Sequence, residues 1–140
     1  MIFVIDVGNT NTVLGVYQGT TLVQDWRVRT EQNVTEDEFN VLVTNLLNLS
    51  GIDPKGFRKT VISCVVPPMM TILDAFCRKY LGHAPVWVDP RNCAAMPILY
   101  DNPAEVGADR IVNAVGAYDK YRTSMIIIDF GTATTFDAIS

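Results

Sequence analysis

Residues 5–12 read IDVGNTNT, in which an apolar strand leads a carboxylate and a glycine into a run of small polar side chains. The apolar run VLGVY follows directly, so the segment is typical of the turn of a β-hairpin. One explanation is purely geometric, because Asp and Asn side chains satisfy turn backbones. The other is ligand binding, since glycine lets the backbone approach a phosphate whose oxygens the N–H, Thr and Asn groups can bond.

The same pattern returns near the other end of the chain as IDFGTATTFDAI, which begins at Ile128. When the two motifs are aligned, Asp129 corresponds to Asp6, and Thr132 corresponds to Asn9. Two such turns predict a duplicated domain, with the first domain over 1–121 and the start of a similar second domain over 122–140. An Asp beside each turn can hold a hydrated Mg²⁺, so two facing turns would hold a nucleotide's phosphate chain.

Hydrophobic periodicity predicts the elements between the turns. Three β-rich runs open the chain, and a helix with a capping box at Thr35 and Glu38 follows them. TVISCVV predicts a strand, Pro67 and Pro68 open a second helix that ends at Gly82, and APVWVD predicts a short strand. A third helix runs to about residue 121, and SMIIID predicts a buried strand. The order βββαβαβ predicts an α/β domain with a mixed sheet, the pattern of a ribonuclease H-like domain.

Composition restricts the function. The chain has 140 residues, of which 49% are hydrophobic and 19% charged, as expected for a folded domain. Its 11 basic residues among 15 acids, a net charge of −4, argue against a nucleic-acid surface, and no apolar run approaches membrane-spanning length. The three cysteines Cys64, Cys77 and Cys93 form no CxxC pair, which predicts reduced, buried thiols in a cytoplasmic protein.

A third polar cluster lies in YDNPAEVGADRIVNA, between the two turns. Asp109 and Arg110 near the start of a helix are explained most simply as a helix cap and a surface ion pair. The functional alternative is an Asp109 that accepts a proton from a substrate hydroxyl, with Arg110 binding an anionic group of the same substrate.

Taken together, DVGNTNT, NPAEVGADRIVNA and DFGTATTFD resemble the signature motifs of type III pantothenate kinases, in the same order. That family belongs to the acetate and sugar kinase, Hsc70 and actin superfamily, whose members contain two ribonuclease H-like (actin-like ATPase) domains. The resemblance implies a cytoplasmic homodimer that phosphorylates the primary hydroxyl of pantothenate with ATP, the first step of coenzyme A synthesis.

The resemblance also implies a role for each motif residue. Asp109 would be the general base, Asp129 would ligate a monovalent cation, K⁺ or NH₄⁺, and Asp6 would hold Mg²⁺ through water. ATP would be bound by Asp6, Val7, Gly8, Asn9, Thr10, Asn11, Thr12, Val13 and Thr132. Pantothenate would be bound by Tyr100, Gly107, Ala108, Asp109 and Arg110, with Arg110 as the partner of its carboxylate.

Members of this family continue through a full second domain, so the resemblance implies a partial form with little turnover of its own. A non-catalytic, nucleotide-binding regulatory homologue is an alternative, although the intact Asp109 and Arg110 speak against it. A nuclease is a third possibility, because ribonuclease H-like folds also host two-metal hydrolysis. It would require several carboxylates that converge on Asp6.

Overall fold

The computed structural model describes residues 1–92 and 96–140, which form two compact units, 1–87 and 88–140. Cys93, predicted to be a buried thiol, lies outside the described residues. The division between the units falls earlier than the predicted domain boundary after residue 121, which stays a prediction.

The first unit is built on a five-stranded mixed sheet, whose strands are β1 (Ile2–Val7), β2 (Asn11–Gln18), β3 (Thr21–Arg29), β4 (Lys59–Cys64) and β5 (Val86–Trp87). Strands β1 to β3 form an antiparallel meander, and β4 and β5 lie parallel to β1, in the spatial order β3-β2-β1-β4-β5. The α/β class, the mixed sheet and the predicted βββαβαβ order are confirmed.

Two helices cover one face of this sheet. In α1 (Glu36–Leu49) the predicted capping box is present, because the backbone N–H of Glu38 bonds the Thr35 hydroxyl while the Glu38 carboxylate accepts the Thr35 N–H. Helix α2 (Pro67–Phe76) continues into a π-helical turn, and Gly82 ends it with a positive φ of 74°. The core between helices and sheet contains Phe3, Ile5, Val7, Leu14, Val16, Phe39, Val43, Leu47, Ile62, Met69, Leu73 and Phe76.

The second unit pairs one helix with one hairpin. Helix α3 (Ala108–Tyr121) precedes the antiparallel strands β6 (Met125–Phe130) and β7 (Thr134–Ile139). Short 3₁₀ helices cover Pro90–Asn92 and Pro103–Glu105. The turn at Pro103–Glu105 is separate from α3 and is capped by the Asn102 side chain.

The predicted strand in SMIIID is confirmed as β6, but the prediction that this strand is buried is wrong. Residues of β6 alternate, and those on one face, Ile126 and Phe130, are 70% and 81% exposed. The physical reason is that α3 packs against only one face of this two-stranded hairpin. Within the described parts of the chain, no helix is long and apolar enough to cross a membrane.

Candidate functional site

The first polar turn is a four-residue loop from Gly8 to Asn11, closed by the pairing of Val7 with Thr12. The Gly8 N–H donates to the Asn11 carbonyl at 2.9 Å. A Cβ on Gly8 would lie 3.2 Å from that carbonyl oxygen, which is tighter than ordinary contact. Glycine therefore suits this turn, because a side chain at this position would crowd the backbone of the turn.

The end of β3 supports this turn through a relay of hydroxyl groups. The Thr30 hydroxyl donates to the Gly8 carbonyl at 2.7 Å, and its oxygen lies 2.9 Å from the hydroxyl of buried Thr12. A hydroxyl has one proton, so Thr12 is the donor to Thr30. The Thr30 N–H also donates to the Thr10 carbonyl at 2.9 Å. Sequence reasoning missed Thr30, because its distance of 18 residues from Thr12 gave no signal.

Asp6 lies on the sheet face opposite the helices. Its neighbours Ile5 and Val7 point into the core, and strand alternation therefore turns Asp6 to the other side, where it is exposed. Ser63 of β4 is its direct partner across the sheet. The Ser63 hydroxyl is buried and forms no hydrogen bond within the described residues.

No group of three or more His, Cys, Asp or Glu side chains forms a metal site in the part of the chain that the structure describes. A divalent cation at Asp6 would therefore take most of its ligands from water and from a bound nucleotide. This donor set fits the expected contact of Asp6 with Mg²⁺ through water, because Mg²⁺ is commonly held by one or two carboxylates and substrate phosphates.

In the second unit, α3 is joined to the hairpin by two polar contacts one helical turn apart. Arg110 donates from Nε to Asp137 Oδ1 at 2.8 Å, and its Nη2 bonds the same oxygen. Asn113 donates from Nδ2 to Asp129 Oδ2 at 3.0 Å. Sequence reasoning singled out Arg110 and Asp129 but missed Asp137, whose only signal was its place in the strand after the second turn.

The Arg110 side chain sits at an apolar cleft of about 390 Å³ in the second unit. Its guanidinium lies 5.5 Å from the centre of the Tyr100 ring, a cation–π distance. Asp137 raises the pKa of Arg110, which stays fully charged. The cleft is lined by Met96, Pro97, Ile98, Leu99, Tyr100, Val106, Arg110, Ile111, Ala114, Val115, Phe136, Asp137, Ala138, Ile139 and Ser140.

Asp109 is half-buried at the start of α3, and its Oδ1 accepts the backbone N–H of Arg110 at 2.8 Å. The preceding Gly107 has a φ of −63°, an ordinary extended conformation, and Ala108 is buried. Tyr100 and Arg110 therefore share the cleft, whereas Gly107, Ala108 and Asp109 are not among the described residues that line it.

The second polar turn is one residue shorter than the first. Phe130 pairs with Thr134, which leaves the loop Gly131–Ala133, and the Gly131 N–H donates to the Ala133 carbonyl at 3.1 Å. Loop length changes the pairing partners in a hairpin. Asp6 is paired with Val13, but Asp129 is paired with Thr135 and faces α3.

The meander joined to parallel strands, with a polar turn after β1, defines an α/β domain of the actin-like ATPase class. A family model described as Type III pantothenate kinase matches residues 2–140. The chain belongs to the type III pantothenate kinase family.

Curated relatives agree with this family. The chain is 62% identical to a type III pantothenate kinase of Desulfatibacillum aliphaticivorans, over 100% of this chain and 54% of the relative. It is 63% identical to that of Desulforapulum autotrophicum, over 100% and 54%, and 54% identical to that of Geobacter sulfurreducens, over 100% and 55%. The chain thus spans about half the length of the curated relatives it matches.

Proposed function

We propose that the protein phosphorylates pantothenate with ATP, as part of a homodimeric cytoplasmic kinase that opens coenzyme A synthesis. The observation that carries this proposal is the charged Arg110 at an apolar cleft beside Tyr100, within a chain of the type III pantothenate kinase family. Pantothenate combines a carboxylate with an aliphatic body. In the cleft, Arg110 would bind the carboxylate, and the apolar side chains would contact the aliphatic part. Gly107 and Ala108 would complete its binding site from the start of α3.

ATP would place its phosphates on the first turn, from Asp6 to Val13, and on Thr132 of the second turn. Gly8 lets the backbone come close, and the side chains of Asn9, Thr10 and Asn11 are exposed at the turn and can donate to phosphate oxygens. Mg²⁺ held through water by Asp6 would supply positive charge to the transferring phosphoryl group. Asp129 would hold K⁺ or NH₄⁺, and the hydrogen bond from Asn113 fixes the orientation of its carboxylate.

In the proposed reaction the primary hydroxyl oxygen of pantothenate forms a bond to the γ-phosphorus, and the bond from that phosphorus to ADP breaks. Asp109 accepts the hydroxyl proton. Its Oδ1 accepts the Arg110 N–H at 2.8 Å, a contact that orients the carboxylate. Protein groups mainly position the two reactants and balance charge, as in other phosphoryl transfers.

A chimera tests this proposal, because the chain spans about half of its relatives. Residues 1–140 replace the matching stretch of the Desulfatibacillum aliphaticivorans relative, and phosphopantothenate and ADP are measured by mass spectrometry. We expect turnover with pantothenate and none with a sugar, and weak or no turnover for residues 1–140 alone.

Two variants of the chimera test the base. We expect Asp109→Asn to lower kcat by a factor on the order of 10²–10⁴. Asp119→Asn, which removes an exposed carboxylate from the same helix, is expected to leave kcat unchanged. A folded chimera that binds ATP without phosphorylating pantothenate would favour the regulatory alternative, and an active Asp109→Asn variant would remove Asp109 from the mechanism.

A further inference from the structure

The ion pair between Arg110 and Asp137 is mostly removed from solvent, with side-chain exposures of 24% and 16%. Most other ion pairs among the described residues are far more exposed, and the pair of Arg122 and Asp119 is 66% and 73% exposed. Exposed pairs hold their side chains weakly, whereas a desolvated pair keeps a fixed geometry because neither charge can return to water cheaply. Asp137 therefore restricts where the Arg110 guanidinium lies.

The direction of the contact matters for a ligand. Asp137 bonds Nε and Nη2, which form one side of the guanidinium. The Tyr100 side chain is a further hydrogen-bond partner of the Arg110 guanidinium. A guanidinium offers five N–H groups in a rigid plane, so the contact with Asp137 leaves three of them, two on Nη1 and one on Nη2, for Tyr100 and another carboxylate.

Tyr100 limits the remaining freedom of the guanidinium. Its ring lies 5.5 Å from the guanidinium carbon, so the cation is held by Asp137 at its side and by an aromatic ring. Both residues line the same apolar cleft as Arg110. An arginine fixed by two groups loses less side-chain entropy when a ligand binds.

Asp137 also connects the cleft with the second turn. It pairs with Ile127 in the hairpin, and the next pair on the same face joins Asp129 with Thr135. Asn113, one helical turn after Arg110, bonds Asp129. The hairpin face is thus attached to α3 through both Asp137 and Asp129, and this double attachment fixes the position of Asp137 next to Arg110.

We propose that Asp137 is a positioning residue that holds the side of the Arg110 guanidinium and so directs its remaining N–H groups toward the substrate carboxylate. This inference rests on the proposed function for the identity of that substrate. Asp137 does not touch substrate in this assignment and acts through Arg110 alone.

Steady-state kinetics of the chimera test the role of Asp137 through Asp137→Asn, a nearly isosteric and neutral change. We expect KM for pantothenate to rise roughly ten- to hundredfold, as a displaced binding group does, with kcat changed less. KM for the neutral alcohol analogue of pantothenate and KM for ATP are expected to stay unchanged. Asp137→Glu, which keeps the charge, is expected to restore part of the affinity for pantothenate, and Asp119→Asn serves as the matched control.

Equal rises in KM for pantothenate and for its neutral analogue would overturn the proposal, because they would indicate a general structural defect. An unchanged KM for pantothenate would overturn it as well. If Asp137→Asn does not fold, the affinities of wild type and Asp137→Glu for pantothenate are compared instead. An affinity of Asp137→Glu equal to that of wild type would count against a precise positioning role.

A spectroscopic measurement separates this inference from the proposed function. In ¹⁵N-labelled protein, the Arg110 Nε–H should give a signal protected from exchange with water, and Asp137→Asn should abolish that protection. A chimera inactive with pantothenate would refute the proposed function, while the Nε–H signal would still test whether Asp137 holds Arg110. An Nε–H equally protected in both proteins would refute the positioning role.

Discussion

Thr30→Val is the most informative change to the first turn, because valine has nearly the same shape and lacks the hydroxyl. Thr30 is buried, and its hydroxyl stands between the Thr12 hydroxyl at 2.9 Å and the Gly8 carbonyl at 2.7 Å. The substitution therefore removes both contacts without opening a cavity.

The expected loss follows from these contacts. Two hydrogen bonds contribute a net of about 1 kcal/mol each to the free energy of unfolding. The hydroxyl of Thr12, a residue that is only 1% exposed, is then left without an acceptor, which costs at least about 1 kcal/mol more. We expect Thr30→Val to lower the free energy of unfolding by about 3 kcal/mol.

A double-mutant cycle tests the cause of this loss. Thr12→Val alone removes one hydrogen bond and leaves Thr30 bonded to Gly8, at a cost of about 1 kcal/mol. The double variant has no stranded hydroxyl at position 12, so it should be more stable than Thr30→Val by about 1 kcal/mol. If the two substitutions acted independently, their losses would add, and the double variant would be less stable than Thr30→Val.

Urea unfolding followed by tryptophan fluorescence is a suitable assay, because Trp26 and Trp87 both lie in the first unit. For an m value of about 2 kcal/mol/M, the expected loss shifts the midpoint by about 1.5 M. Thr21→Val, at the exposed start of the same strand, is the control and should leave the midpoint nearly unchanged. A shift below about 0.5 kcal/mol for Thr30→Val, or additive losses in the cycle, would refute the relay.

Three further changes test other parts of the chain. Two hydrogen bonds from Thr35 lower the pKa of Glu38 below its ordinary value, so the stabilisation by its carboxylate is complete above the ordinary pKa and is lost as the pH falls through the lowered one. The difference in unfolding free energy between wild type and Glu38→Gln should therefore shrink in acid unfolding curves. Burial raises the pKa of Cys77 to about 11, so iodoacetamide at pH 8 should label this thiol only after the protein is denatured. Labelling of Cys77 in the folded protein would contradict its burial. A Cβ at Gly15 would lie 2.8 Å from Val4 Cγ2, so Gly15→Ala should lower the melting temperature through about 1–3 kcal/mol of overpacking. The control is Gly116→Ala on open helix surface, which should not lower the melting temperature. Equal melting temperatures for the two variants would contradict the close packing at Gly15.

Much of the first unit could be predicted from the sequence because its signals are local. The capping box at Thr35 and Glu38, the prolines that open α2 and the Gly82 that ends it act within one or two turns of backbone. Each of these features depends on neighbours in the chain, so a single sequence is enough to recognise it.

The burial of SMIIID could not be predicted in the same way. An apolar run indicates only that a strand can be buried on both faces. Which faces are covered depends on the elements that pack against the strand. Helix α3 covers one face of the hairpin, and Ile126 and Phe130 remain exposed on the other. Likewise, the two polar turns are similar in composition, but cross-strand pairing gave the second turn a shorter loop than the first.

The sequence by itself determined the βββαβαβ order, the helix ends, the glycine-containing turns and the motifs that place the chain in its family. Only the tertiary structure decided that Thr30 supports the first turn and that Arg110 pairs with Asp137 rather than forming a surface ion pair. The physical reason is that periodicity and capping are set by residues close in the chain. A hydrogen-bond partner many residues away depends instead on strand register and on the packing of α3 against its hairpin.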